Sequence, residues 1–148
     1  ELWLQVDMGP TRPGPPLGPA SVAAPADHRA TIDVGNPHLV LAVAHPDTVD
    51  LAELGPRLEA DYPEGINVHL VAVDARDRLR LRVWERGVGI TRACGSGAVA
   101  AAAAARSWGL VEDRVTVCMP GGEAVVECTG STTLLTGPTV LVAQVQVP

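Results

Sequence analysis

The stretch Glu85-Arg86-Gly87-Val88-Gly89-Ile90-Thr91-Arg92-Ala93-Cys94-Gly95-Ser96-Gly97-Ala98 sets a cysteine immediately ahead of a glycine-rich turn that runs into an alanine-rich segment. In a helix starting there, the first backbone N–H groups lack internal partners and the macrodipole is positive, so an anion is stabilised at the turn. Gly95, Ser96 and Gly97 clear the space for one to approach. The same field favours a thiolate, which makes Cys94 a candidate proton donor, proton acceptor or nucleophile. A carboxylate seated on those amides would hold its α-carbon beside the sulfur, where charge developing on an enolate-like acid meets fixed donors. Proton exchange at an α-carbon suits this arrangement. The plain alternative is a small cysteine buried for packing, and the surrounding glycines argue against it.

Other polar residues stand at strand ends, where binding groups gather on a rigid scaffold. Asn36 and His38 lie in Gly35-Asn36-Pro37-His38, Asn67 follows Gly65-Ile66, and Glu85-Arg86 close a long strand-like run. Each also has a structural reading: Asn beside Gly or Pro is a common turn residue, and a single histidine is commonly a hydrogen-bonded structural group. Cys118 and Cys128 do not face each other in the simplest hairpin register and receive no role. His28, His45 and His69 show no metal-ligand spacing with one another or with a cysteine, so no metal site is expected.

The elements that must position these residues follow from periodicity and turn signals. Leu2 to Met8 alternates like a strand. Residues 9–29 hold six prolines and several glycines, which predicts a surface loop without helix or paired strand. Ala30 to Gly35 and His38 to Ala44 read as strands on either side of a sharp break at Asn36-Pro37. Asp47 to Tyr62 carries apolar residues at helical spacing, with Gly55-Pro56 expected to end one helix and start another. Ile66 to Asp74 and Leu79 to Glu85 predict an antiparallel hairpin across Ala75-Arg76-Asp77, with Arg78, Arg80 and Arg82 on one face. Gly95 to Trp108 is the strongest helix, stopped by Gly109. Arg114 to Met119 and Glu123 to Cys128 flank the turn Pro120-Gly121-Gly122, and Thr132 to Leu135 and Thr139 to Val147 read as closing strands. Seven to nine strands and one or two helices give an α+β fold, a mostly antiparallel sheet packed on the Ala-rich helix.

Composition narrows the function. The 148 residues are 47% hydrophobic, enough for the core of one domain spanning 1–148. Only 3% are aromatic and none is Phe, which disfavours a base-stacking surface. A formal charge of −6 opposes phosphate backbones and anionic membranes, so no nucleic acid and no membrane partner is expected. All eleven basic residues are Arg. Without Lys the chain by itself can complete neither a pyridoxal-phosphate Schiff base nor a Walker-type phosphate loop. Three widely spaced cysteines form no disulfide framework, which reads as a reducing, cytoplasmic setting. The longest apolar run, Ala98 to Ala105, is far short of the roughly 20 residues that span a bilayer, and no signal peptide is evident. A start at Glu1, directly in a strand-like run, reads as a cut through a longer protein.

Taken together, Gly35-Asn36-Pro37-His38, Ile66-Asn67-Val68, Glu85-Arg86-Gly87-Val88-Gly89 with Thr91, Ala93-Cys94-Gly95-Ser96-Gly97-Ala98 and Pro120-Gly121-Gly122 resemble, in order and spacing, the diaminopimelate epimerases. The likeness runs from about Leu2 to the end of the chain. It implies a barrel-like sheet around a central helix, one of two similar lobes that face each other, and epimerisation of LL- to meso-diaminopimelate without a cofactor, for lysine and peptidoglycan precursors. One cysteine from each lobe flanks the substrate α-carbon, and Cys94 resembles that of the C-terminal lobe. By the same resemblance Gly95 and Ser96 hold the reacting carboxylate, while Asn36, Asn67, Glu85 and Arg86 line the substrate, with the two asparagines and Arg86 on its distal amino acid end. Glu85 and His38 set the protonation of the thiols. The N-terminal lobe with its own cysteine has no counterpart here, so its expected partners are the amino acid substrate and the missing lobe, with pairing of two copies as a substitute for the latter. Other classes stay open: a cysteine hydrolase or acyltransferase with Cys94 as nucleophile and His38 as base, or a non-catalytic ligand-binding lobe.

Overall fold

The structure, a computed structural model, describes residues 1–147. The described residues build one ten-stranded sheet in the order β1-β10-β9-β8-β6-β5-β4-β3-β2, with β7 (Gly89–Thr91) paired beside β6. Its centre is β4 (Pro37–Ala42), β5 (Asn67–Ala75) and β6 (Arg78–Glu85). β5 and β6 form the expected antiparallel hairpin, whereas β4 and β5 are parallel, joined through α2 (Leu51–Glu59) as a crossover. The second parallel pair, β6 with β8 (Arg114–Met119), is connected through α3 (Gly95–Ser107). β3 (His28–Asp33) turns back on β4 at Gly35, whose φ of 95° suits the tight turn. β9 (Gly122–Cys128) and β10 (Thr133–Thr139) continue the antiparallel half to β1 (Leu2–Asp7).

The sheet curls around α3, which touches strands from both halves. Gly97 to Ala102, Ala104 and Ala105 are all buried. Only small side chains let a helix be enclosed on every side at such close approach, and alanine supplies them without loss of helix propensity. Alternation along the strands sorts the rest. Val40, Ala42, Val71, Leu79, Leu81 and Val83 face α3, whereas Leu39, Leu41, Val68 and Leu70 face α2. The arginines of β6 fall on the second face, where Arg82 donates to the carbonyls of Pro46 and Val49.

Several expectations are corrected. Residues 9–29 contain β2 (Arg12–Pro13) and a one-turn helix, α1 (Pro19–Ala23), as well as the start of β3. Pro13 tolerates this because β2 is an edge strand, and Asp61 accepts from the N–H groups of Ala20 and Ser21 at the start of α1. The helix expected to break at Gly55-Pro56 runs through it. The interruption falls earlier, between a 3-10 turn (Pro46–Thr48) and α2, where Asp50 caps by accepting from Glu53 N–H at 3.2 Å. Packing of Leu51, Gly55 and Leu58 holds α2 together across the one bond Pro56 cannot make. Finally, one strand, β10, replaces the two expected after residue 131, and residues 140–147 form no strand because no neighbour pairs with them. Among the described residues the tally is therefore ten strands and three α-helices rather than seven to nine and one or two. No helix among the described residues is long and apolar enough to cross a membrane.

Gly55 has a definite packing reason. A Cβ there would lie 2.4 Å from Cδ2 of Trp84, whose indole N–H is held by Glu59 at 2.8 Å. Gly→Ala in an unobstructed helix stabilises by about 1 kcal/mol. Here Gly55→Ala is expected to destabilise by about 1–3 kcal/mol through overpacking, read as a lower midpoint in urea. An unchanged or raised midpoint would refute the contact.

Candidate active site

At the open end of the parallel pair, hydrogen bonds join Asn36 to His38 and Asn67 to Arg86, and His69 reaches from this group to Gly97 at the start of α3. His38 begins the buried part of β4 and pairs in register with Asn67 at the start of β5. β6 runs the other way, so its last residue, Glu85, comes to the same end of the sheet. Strand parity puts His38 and His69 in the rows that continue as Val40 and Val71, on the α3 side. Both histidines are fully buried.

Each polar group here has identifiable partners. Asn67 donates to the Pro37 carbonyl at 3.0 Å and accepts from Arg86 N–H at 2.9 Å, so it ties β4 to the turn after β6. The Arg86 guanidinium is exposed and donates to the Glu64 carbonyl at 3.1 Å, its stem lying over Gly65. Glu85 accepts from the Thr91 hydroxyl at 2.6 Å across the β6–β7 turn, β7 being Gly89–Thr91. His38 is bonded at both ring nitrogens, Nε2 to Asn36 Oδ1 at 2.9 Å and Nδ1 to His69 Nε2 at 2.7 Å. Neither nitrogen is free to serve Cys94 as a base. Burial pushes the His38 pKa down to about 4, with nearby Asp33 opposing and Arg86 reinforcing the shift. His69 is held well below the usual imidazole range by burial and then by His38.

Cys94 is the N-cap of α3, with extended backbone and a half-buried side chain. Its sulfur accepts from Gly97 N–H at 3.3 Å and lies 3.6 Å from the Ser96 hydroxyl. The next helical bond runs from Ala98 N–H to the Cys94 carbonyl, so among the described residues the amides of Gly95 and Ser96 have no internal acceptor. These two donors directly follow the half-buried Cys94, which is the arrangement needed to seat a carboxylate beside a thiol. Thirteen helical residues give the positive end its full effect. Cys118 and Cys128 are strand residues whose thiols are pushed up chiefly by burial. Among the described residues no group of three His, Cys, Asp or Glu side chains is placed to hold a metal ion.

Sequence reasoning missed His69 and Thr91. The signal for His69 was available in Asn67-Val68-His69: residues two apart share a strand face, so His69 lies on the face of Asn67. Thr91 was part of the motif but had no role, because its link to Glu85 depends on the reverse turn between them.

Comparison with known proteins gives a consistent result. Residues 30–142 match the family described as diaminopimelate epimerase. A diaminopimelate epimerase of Sphingopyxis alaskensis is 52% identical over 102 residues, 68% of this chain and 38% of that protein. Another, of Pseudomonas entomophila, is 40% identical over an alignment of 161 positions, 96% of this chain and 57% of that protein. The chain thus spans roughly two fifths to three fifths of these relatives. Among solved structures, a predicted epimerase from Pseudomonas aeruginosa superposes with a TM-score of 0.65 at 22% identity, covering 91% of this chain and 55% of that one, a likeness of fold.

Proposed function

This chain belongs to the diaminopimelate epimerase family, and from that premise we propose that it is the C-terminal lobe of an enzyme that inverts an α-carbon of diaminopimelate without a cofactor. Cys94 is one of two acid/base thiols, and a companion lobe supplies the other. The observation that carries this reading is the start of α3, where the unpartnered amides of Gly95 and Ser96 adjoin the Cys94 sulfur. The reacting carboxylate rests on those amides, which stabilise the charge that grows on it as the α-proton leaves. One thiolate removes the proton from one face while the other thiol delivers a proton to the opposite face. Every atom is accounted for, and the roles exchange for the reverse reaction.

Asn36, Asn67 and Arg86 hold the distal amino acid group. Asn67 does so in part by fixing the Arg86 backbone. Glu85, held by Thr91, and His38, held by Asn36 and His69, keep the polar wall in one arrangement and help set the protonation of the thiols. A guanidinium grips a carboxylate through two parallel hydrogen bonds. Arg86→Ala is therefore expected to raise KM about 10- to 100-fold, the worth of one charged hydrogen-bonding group, with a smaller change in kcat. An unaltered KM would remove Arg86 from the substrate site.

The whole reading is tested by incubating LL-diaminopimelate in deuterium oxide with this chain alone, and with the chain joined to the N-terminal lobe of a relative. The expected result is deuterium at the α-carbon without cleavage for the joined protein, and negligible exchange for the chain alone. Turnover by the chain alone at the rate of the joined enzyme would overturn the two-lobe reading. An acyl-enzyme burst instead of exchange would favour the hydrolase class.

A further inference from the structure

His69 enters the chemistry set out above only as a hydrogen-bond partner of His38, yet it is fully buried and its second ring nitrogen is unused. The proton positions follow from its partners. The amide oxygen of Asn36 only accepts, so His38 carries its proton on Nε2. His38 Nδ1 is then bare and accepts from His69 Nε2–H. His69 Nδ1 is in turn bare, and it has no hydrogen-bond partner. An acceptor stranded in a protein interior is costly, and such groups are rare without a reason.

The direction in which this nitrogen faces supplies the reason. A Cβ built on Gly97 would lie 2.4 Å from His69 Cε1, 3.0 Å from His69 Nδ1 and 3.1 Å from the Cys94 sulfur. The bare nitrogen and the sulfur therefore both pack against Gly97, where the imidazole ring occupies the place a side chain would take. The sulfur accepts from Gly97 N–H and lies 3.6 Å from the Ser96 hydroxyl, so its own proton has two groups to turn to, that hydroxyl and the bare His69 nitrogen. Resting on the epimerase reading, we propose that His69 is a positioning residue for Cys94: its Nδ1 is the interior acceptor toward which the thiol proton turns, while its Nε2–H holds His38 and Asn36 in place. The buried line Asn36, His38, His69 thus connects the turn before β4 to the first turn of α3.

Nitrogen-15 spectra of the histidine rings test this on the chain itself at neutral pH. The expected result is a proton on Nε2 of both His38 and His69, with a His69 Nδ1 resonance that shifts in Cys94→Ala. A proton on His69 Nδ1, or a resonance indifferent to Cys94→Ala, would overturn the inference. A second measurement uses the chain joined to a relative's N-terminal lobe. His69→Gln retains an N–H donor for His38 but moves its acceptor off the ring position of Nδ1, and it is expected to lower kcat about tenfold, the worth of one hydrogen bond, with KM unchanged. His69→Leu is expected to lower kcat further. Equal kcat in all three proteins would make His69 a packing residue only. If the spectra agree but the joined wild type shows no α-exchange, the epimerase reading fails and the His69 contact stands.

Discussion

Cys94→Ser in the two-lobed enzyme is expected to lower the rate of α-proton exchange by about 10³-fold or more, within the range of one positioned general acid or base. Serine is the informative choice because Cys94 has two jobs. Its sulfur caps α3 by accepting from Gly97 N–H, and loss of an N-cap costs about 1 kcal/mol. A serine oxygen takes over that bond and leaves the fold intact, but a hydroxyl is far too weak an acid to exchange protons with carbon at neutral pH. Substrate binding should survive, since the carboxylate contacts come from the backbone of Gly95 and Ser96. Calorimetry with diaminopimelate would therefore find Kd within a few-fold of the original while deuterium incorporation disappears. Exchange that persisted in Cys94→Ser would remove the sulfur from the reaction, and a chain indifferent to Cys94 but dependent on Arg86 would be a binding lobe.

The second large effect is on stability. Lowering the pH from about 6.5 to about 4 should cost the fold about 3 kcal/mol through His38 alone, because its pKa falls from 6.5 in the unfolded chain to about 4 in the folded one. The direction follows from proton counting. Above 6.5 both states hold a neutral ring and the contribution is flat. Between 6.5 and about 4 the unfolded chain binds a proton that the buried ring refuses, so unfolding is favoured as pH falls. Below about 4 the folded ring also protonates and the loss levels off. His69, shifted in the same direction by the same burial, deepens the fall. Urea unfolding at pH 7, 6 and 5 checks this in a window where ordinary carboxylates remain largely ionised. His38→Gln should make the slope shallower, leaving the part that His69 contributes. Midpoints that do not move between pH 7 and 5 would show that the histidine pair is open to water.

Much of this protein was legible in its sequence for reasons that are local. Alanine's helix propensity and the cap and stop at Cys94 and Gly109 define α3. The Pro-Gly-Gly turn and the Ala75-Arg76-Asp77 turn define two hairpins, and the alternation of Arg and Leu along β6 defines its buried face. The motif around Cys94 lies within one turn of a helix start, so its chemistry can be read from neighbouring residues. Gly55-Pro56 was misleading because local propensity was overridden by the packing of α2 on Trp84.

Tertiary structure alone decided which of these pieces meet. His38 and His69 are 31 positions apart, and nothing in either segment specifies that their strands run side by side in parallel. That pairing depends on the crossover through α2 and on the enclosure of α3 by strands from both halves of the sheet. Once it forms, a register set by many backbone bonds aligns Asn67 with His38 and lays His69 against Gly97. Strand faces and turns come from interactions between near neighbours. The site comes from contacts that exist only after distant segments have been brought together, and those are carried by the packed core rather than by any motif.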